Sequence, residues 1–172
     1  MTRKGEPGKS TRQLTLPRDL YWQMARHARD ESPREACGLL AGDGAKPVAV
    51  VPTTNIDPFP VVRYQVAPKD ILAFDRLLEE RGWRWLGIYH SHTFSEAYPS
   101  PIDVANAISA LSPGILYLLL SLKAENEERR LATFRLDDRQ VASISSRALT
   151  PPILRAFTIE GGVVEEVPLV IE

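Results

Sequence analysis

Apolar residues along the chain recur with two periods, and each period marks out elements. After Leu16 and Pro17, the stretch RDLYWQMARHARDES sets Leu20, Tyr21, Met24, Ala25 and Ala28 at the spacing of an amphipathic helix, and Pro17 occupies a first-turn position that needs no amide donor. From Pro68, KDILAFDRLLEERG places Ile71, Leu72, Phe74, Leu77 and Leu78 on one apolar stripe, which Gly82 ends as a C-terminal cap. A third helix is predicted from Ser100-Pro101-Ile102-Asp103 through VANAISALS, closed by Pro113-Gly114.

Strands are predicted where short apolar runs lie between turn residues. Cys37 to Gly42 and Pro47 to Val51 flank an Asp43-Gly44 turn and predict a hairpin. Trp83 to Tyr89 and Ile115 to Leu122 predict buried strands, with Trp83, Trp85 and Tyr89 as core, and Tyr64-Gln65-Val66 predicts a short one. Thr53 to Pro60 is a proline-punctuated, exposed loop. Near the end, Ala132 to Val141 and Ala156 to Val164 each predict strand, polar turn, strand. This mixture of helices and strands gives an α/β (α+β) class. No long repeat or composition shift divides it, so one domain is expected over 14–172, behind a flexible tail over 1–13.

Composition narrows the function classes. The 172 residues are 44% hydrophobic and 25% charged, the balance of a folded soluble protein. Because 21 Lys and Arg nearly cancel 22 Asp and Glu, no long-range field favours nucleic acid or an anionic membrane. No apolar run approaches the ~20 residues that cross a bilayer. The first residues lack the hydrophobic stretch of a secretory signal, and the lone Cys37 permits no intrachain disulfide. A cytoplasmic protein is the expectation.

Against that background, His90-Ser91-His92 stands out, since only three histidines occur and two fall here. Side chains alternate along a strand, so His-x-His at a strand end aims both imidazoles to one side. Zinc favours imidazole nitrogen and carboxylate oxygen, and a catalytic site uses three protein ligands and keeps one position open. Asp103, in the first turn of the third helix, is the best-placed local carboxylate, and Glu96 on the loop is its competitor. A bland reading also exists. Ser100 to Asp103 is an ordinary helix start, with Ser as N-cap and Asp favoured by the helix dipole, and strand-end histidines need not bind metal. Glu35 could be an exposed charge after a helix, His27 a partly exposed helical residue, and Cys37 a small buried group without a base to activate it.

The spacing decides between these readings by likeness. His90-Ser91-His92, seven residues, Ser100, two residues and Asp103 resemble the signature of the JAMM (MPN+) zinc metallopeptidases. Upstream, Pro33-Arg34-Glu35-Ala36-Cys37-Gly38-Leu39-Leu40 resembles the same family's P-x-E-x-C-G-L-L segment. The likeness is to its short, single-domain prokaryotic type and runs from about Leu16 to Leu122, with RAFTIEGGVVEE near the end. It implies a single mixed, curved sheet flanked by helices, in a JAMM and cytidine-deaminase-like architecture.

It further implies that His90, His92 and Asp103 hold one zinc ion, that Glu35 activates a zinc-bound water, and that Ser100 assists at the tetrahedral intermediate. The implied reaction is isopeptide or peptide cleavage after the C-terminal Gly-Gly of a ubiquitin-like or sulfur-carrier protein joined to lysine or cysteine. Two alternatives use the same chain: a zinc hydrolase of small peptides or cell-wall fragments, and a non-catalytic scaffold. A deaminase lacks support, because the Pro-Cys-x-x-Cys element is missing. The chain departs from the family pattern at Thr93, where many relatives have proline, and in an apparent extra hairpin near 131–144. That hairpin is expected to widen the sheet, shape a substrate groove or make a homodimer contact.

Overall fold

The computed structural model describes residues 13–109, 114–127 and 150–172. All but the last residue of the expected N-terminal tail, and the whole expected hairpin near 131–144, lie outside these residues. Among these residues the elements run in order as β1 (Leu14–Leu16), α1 (Arg18–Glu31), β2 (Cys37–Asp43), β3 (Lys46–Thr53), α2 (Pro68–Arg81), β4 (Arg84–His92), α3 (Pro101–Ser109), β5 (Leu116–Ser121), β6 (Ile153–Glu160), β7 (Val163–Val167) and β8 (Leu169–Ile171).

Among the described residues, six strands form one mixed sheet in the order β3-β2-β4-β5-β6-β7. Each neighbouring pair is antiparallel except β4 and β5, which run parallel from Gly87 opposite Leu116 to His92 opposite Ser121. A parallel pair needs a long crossover connection, and α3 lies within that connection. Both α3 and the loop before it therefore meet the sheet at the carboxyl end of β4, where the histidines are.

Helices cover both faces. Leu20, Tyr21, Met24 and Ala25 of α1 pack with Leu40, Tyr89, Leu118 and Leu120 on one face, while Phe74 of α2 packs with Leu39, Ile88, Leu119 and Phe157 on the other. Leu118 to Leu120 alternate between the two clusters, as a strand covered on both sides should. His90 and His92 follow Ile88 at period two and so face the α2 side. Gly38, in the upstream motif, lies where the Tyr89 ring crosses the backbone, and an added Cβ would collide with that ring.

Several expectations hold and some change. All five predicted apolar positions of α1 are buried, and the Asp43-Gly44 turn joins β2 to β3. Leu72, placed on the apolar stripe of α2, is 60% exposed. Helical positions two apart diverge by about 200°, so the helix that turns Phe74 inward turns Leu72 outward. Tyr64 to Val66 makes only an isolated bridge, Asn55 to Val66, because the loop supplies no second strand for it. Trp83 and Trp85 are partly buried at the edge of the second cluster, whereas Tyr89 is fully enclosed. Two strands were not expected. β1 and β8 pair in parallel outside the main sheet, Leu14 opposite Leu169 and Leu16 opposite Ile171.

Candidate metal centre

β4 delivers the first two candidate ligands. His90 is fully buried and His92 nearly so, and their Nε2 atoms lie 3.2 Å apart. The loop after β4 returns as α3, whose first turn brings Asp103 against both rings: Oδ1 is 3.4 Å from Nε2 of His90 and Oδ2 is 3.4 Å from Nε2 of His92. One donor atom from each of the three residues falls within 4.8 Å of the others.

The protonation pattern shows what this cluster suits. Nδ1 of His92 is 2.7 Å from the backbone oxygen of Glu96, which can only accept. In the neutral ring Nδ1 therefore carries the hydrogen, and Nε2 presents a bare lone pair to the cluster. Lone pairs converging on one point repel unless a proton or a cation lies between them. A carboxylate and two imidazole nitrogens are the donor set that zinc favours, so these residues fit a metal. Metal-free, the three divide the burden of burial unevenly. Burial holds His90 below the ordinary imidazole range. It opposes charge on His92 and Asp103 too, but there it is outweighed: hydrogen bonding to Asp103 and Glu96 raises His92, and hydrogen bonds from both histidines hold Asp103 well below the usual carboxylate range.

Glu35 reaches the centre from the segment between α1 and β2. It is 5% exposed, and its Oε2 is buried without a hydrogen-bond partner among the described residues. Burial pushes its carboxyl up to about 8, against a smaller lowering by His92. Its backbone is pinned instead, with its amide donating to Pro60 O at 2.6 Å and its carbonyl accepting from Nδ2 of Asn55 at 2.9 Å. Ser100 sits at the start of α3, where its Oγ accepts the Asp103 amide at 3.2 Å. The ordinary helix-start reading thus holds for Ser100 and Asp103, and the same turn places Asp103 beside both histidines.

Other sequence candidates fall elsewhere. The Glu96 carboxylate turns outward to Lys123 Nζ at 2.7 Å, and only its backbone oxygen serves the centre. Cys37 is buried against Thr53 Oγ1, and burial pushes its thiol up to about 11, the behaviour of a structural cysteine. His27 is half-buried with Nδ1 2.9 Å from the Tyr89 hydroxyl, on the far side of the sheet from the centre. Two contacts had no signal in the sequence. Tyr64 stacks on His90 with ring centroids 4.3 Å apart and planes 24° from parallel. Thr93 donates from Oγ1 to Pro33 O at 3.0 Å, tying the end of β4 to the segment that carries Glu35.

Among the described residues, no helix is long and apolar enough to cross a membrane.

The chain matches the family model for prokaryotic homologs of the JAB domain over residues 17–135. It is 36% identical over 130 residues to the CysO-cysteine peptidase of Mycobacterium tuberculosis, covering 74% of this chain and 86% of that protein. It is 37% identical over 94 residues to a probable TtuB-protein conjugate cleaving protease of Thermus thermophilus, covering 55% of this chain and 63% of that one. Among solved structures, a protein from Desulfitobacterium hafniense superposes with a TM-score of 0.68 at 28% identity, over 92% of each chain.

Proposed function

The chain belongs to the family of prokaryotic JAB-domain homologs, and on that premise we propose that it is a zinc-dependent peptidase that releases a ubiquitin-like or sulfur-carrier protein from what is joined to its C-terminal Gly-Gly. The observation that carries this reading is the convergence of His90, His92 and Asp103 beside Glu35, whose buried Oε2 has no hydrogen-bond partner among the described residues. The relatives named for CysO-cysteine and for TtuB-protein conjugates support the substrate class. The proposed domain spans 14–172, and the lone buried Cys37 suits a reducing, cytoplasmic setting.

In this reading Nε2 of His90, Nε2 of His92 and the Asp103 carboxylate hold the metal. When bound, zinc supplies Lewis acidity that polarises a scissile carbonyl and brings the pKa of water to about 7. The protein does the rest. The Glu96 carbonyl fixes the His92 tautomer, and the Ser100 amide fixes the Asp103 carboxylate by donating to Oδ2 at 2.7 Å. Glu35 takes a proton from the attacking water and returns it to the leaving amine, a role suited to a carboxyl whose pKa lies near the working pH. The Ser100 oxygen accepts from the Asp103 amide, which leaves its own hydrogen free for the developing oxyanion.

The test is zinc content by elemental analysis on the wild type, His92→Ala and Asp103→Asn, alongside hydrolysis of a ubiquitin-like protein fused through Gly-Gly to a reporter. Near one zinc per chain, lost in both variants together with cleavage, is expected. Wild-type chain that takes up no zinc when supplied with it, or that cleaves equally well after chelation, would sink the reading.

A further inference from the structure

We propose that Tyr64 is a positioning residue of the metal centre, its ring clamping the His90 imidazole, whose second nitrogen, Nδ1, has no hydrogen bond to fix it among the described residues. This rests on the reading of His90 as a ligand. The two histidines are held by different means. His92 has the usual support of a metal-bound histidine, its second nitrogen directed at a backbone carbonyl. Nδ1 of His90 is buried and has no partner among the described residues. No hydrogen bond at Nδ1 therefore opposes a pivot about the Cβ–Cγ bond, and a small rotation moves Nε2 away from the shared point. Tyr64 blocks that rotation with its face.

The clamp is itself held. Asn55 organises the loop from 54 to 67: its Nδ2 donates to Arg63 O at 3.0 Å, and its Oδ1 accepts the amides of Asp57 at 3.0 Å and Gln65 at 3.1 Å. Tyr64 thus lies between two residues fixed to one side chain. The same Asn55 reaches the Glu35 carbonyl, so one loop sets both the general base and one ligand. Tyr64 also lines a cavity of about 530 Å³ that includes Trp85 and Asn106. Without the ring, His90 would face that space, and both its orientation and its isolation from water would be lost.

Stacking needs a ring and makes no use of the phenol oxygen, which gives a test. Zinc affinity is measured by competition with a chromophoric chelator, and the visible spectrum of the Co²⁺-substituted protein is recorded. Both are done for the wild type, Tyr64→Phe and Tyr64→Leu, with Tyr64→Met as a second ringless replacement should the leucine variant not fold. The expected result is affinity within about 3-fold of wild type for Tyr64→Phe and a loss of about 10- to 100-fold for the ringless variant, with an altered Co²⁺ spectrum only in the latter. Ringless protein with wild-type affinity and spectrum overturns the proposal, as does Tyr64→Phe falling as far as the ringless variant. Either result leaves the peptidase reading standing, because the wild type still binds zinc. Wild-type chain that binds none removes both.

Discussion

Ser100 and Asp103 exchange hydrogen bonds in both directions: the Ser100 amide donates to Oδ2 of Asp103 at 2.7 Å, and the Asp103 amide donates to Oγ of Ser100 at 3.2 Å. This is the reciprocal cap that begins many helices. Here it also aims a carboxylate at two histidines, so the start of α3 and one corner of the candidate metal centre are the same structure.

Ser100→Ala should therefore show two separable losses. Removing the capping oxygen should cost about 1 kcal/mol of stability, and removing the proposed oxyanion donor should lower kcat by about 100-fold. Zinc content should stay near wild type, because the Ser100 amide still holds Asp103. Urea denaturation, steady-state kinetics and elemental analysis on one preparation check all three. A variant that loses its metal would show that the side chain, not the backbone, orients the ligand.

Glu35 gives a pH dependence with a definite sign. Burial raises its carboxyl from an ordinary 4.5 to about 8 in the folded, metal-free chain. The folded chain thus keeps a proton that the unfolded chain has already released. Its contribution to stability is full below pH 4.5 and is lost as pH rises to about 8, at up to about 1.4 kcal/mol per pH unit. Metal-free Glu35→Gln should escape that decline and exceed the wild type in stability at pH 8, while having no peptidase activity when zinc is restored. Urea midpoints of the two metal-free proteins at pH 5, 6.5 and 8 measure the difference. Parallel curves would contradict the buried state of this carboxyl.

Thr93 bridges two segments of the centre. Its hydroxyl donates to Pro33 O at 3.0 Å, and its own carbonyl accepts from Nδ2 of Asn126 at 2.7 Å. Thr93→Val keeps the shape and removes the donor, which should cost about 1–2 kcal/mol and lower kcat several-fold at unchanged zinc content through displacement of Glu35. Thr93→Ser should recover most of both losses. Equal kinetics for the valine variant and the wild type would reduce the bridge to a matter of stability alone.

Cys37 should resist thiol reagents. Its side chain is buried, and burial pushes its thiol up to about 11, so almost no thiolate exists at pH 8. Absorbance with a disulfide reagent should stay flat in native buffer and rise by one equivalent in denaturant. Prompt reaction of the native protein would mean that β2 opens readily.

Periodicity made α1 legible almost residue by residue, because one face of that helix meets the sheet along its whole length. α2 was harder. Only Phe74 is fully buried there, and Leu72 joined the predicted stripe merely by being apolar. Three-residue strands such as β1 and β8 are too short for any period, and each is a strand only because the other exists. The candidate metal centre followed the same rule. His90 and His92 announce themselves two apart on a strand, and Asp103 at a helix start close behind. Tyr64 touches His90 through a loop that Asn55 folds, and no spacing along the chain encodes that meeting. Glu96 shows the opposite error: its carboxylate drew notice, while its backbone oxygen is what faces His92.

The pairing of β1 with β8 bears on how the molecule is completed. Leu14 donates to Pro168 O, Arg18 at the head of α1 donates to Glu172 O, and Glu172 donates back to Leu16 O. These bonds join segments separated by nearly the whole chain, and contacts of that range form late, after the loop-closure entropy has been met. Leu14 and Leu16, buried in the core cluster beneath Leu169 and Ile171, are fully covered only once that pairing is made. The closing step of folding, and the first opening of the folded chain, should accordingly belong to this small clasp rather than to the main sheet, and hydrogen exchange at the Leu14 and Glu172 amides faster than in β4 is the expected sign.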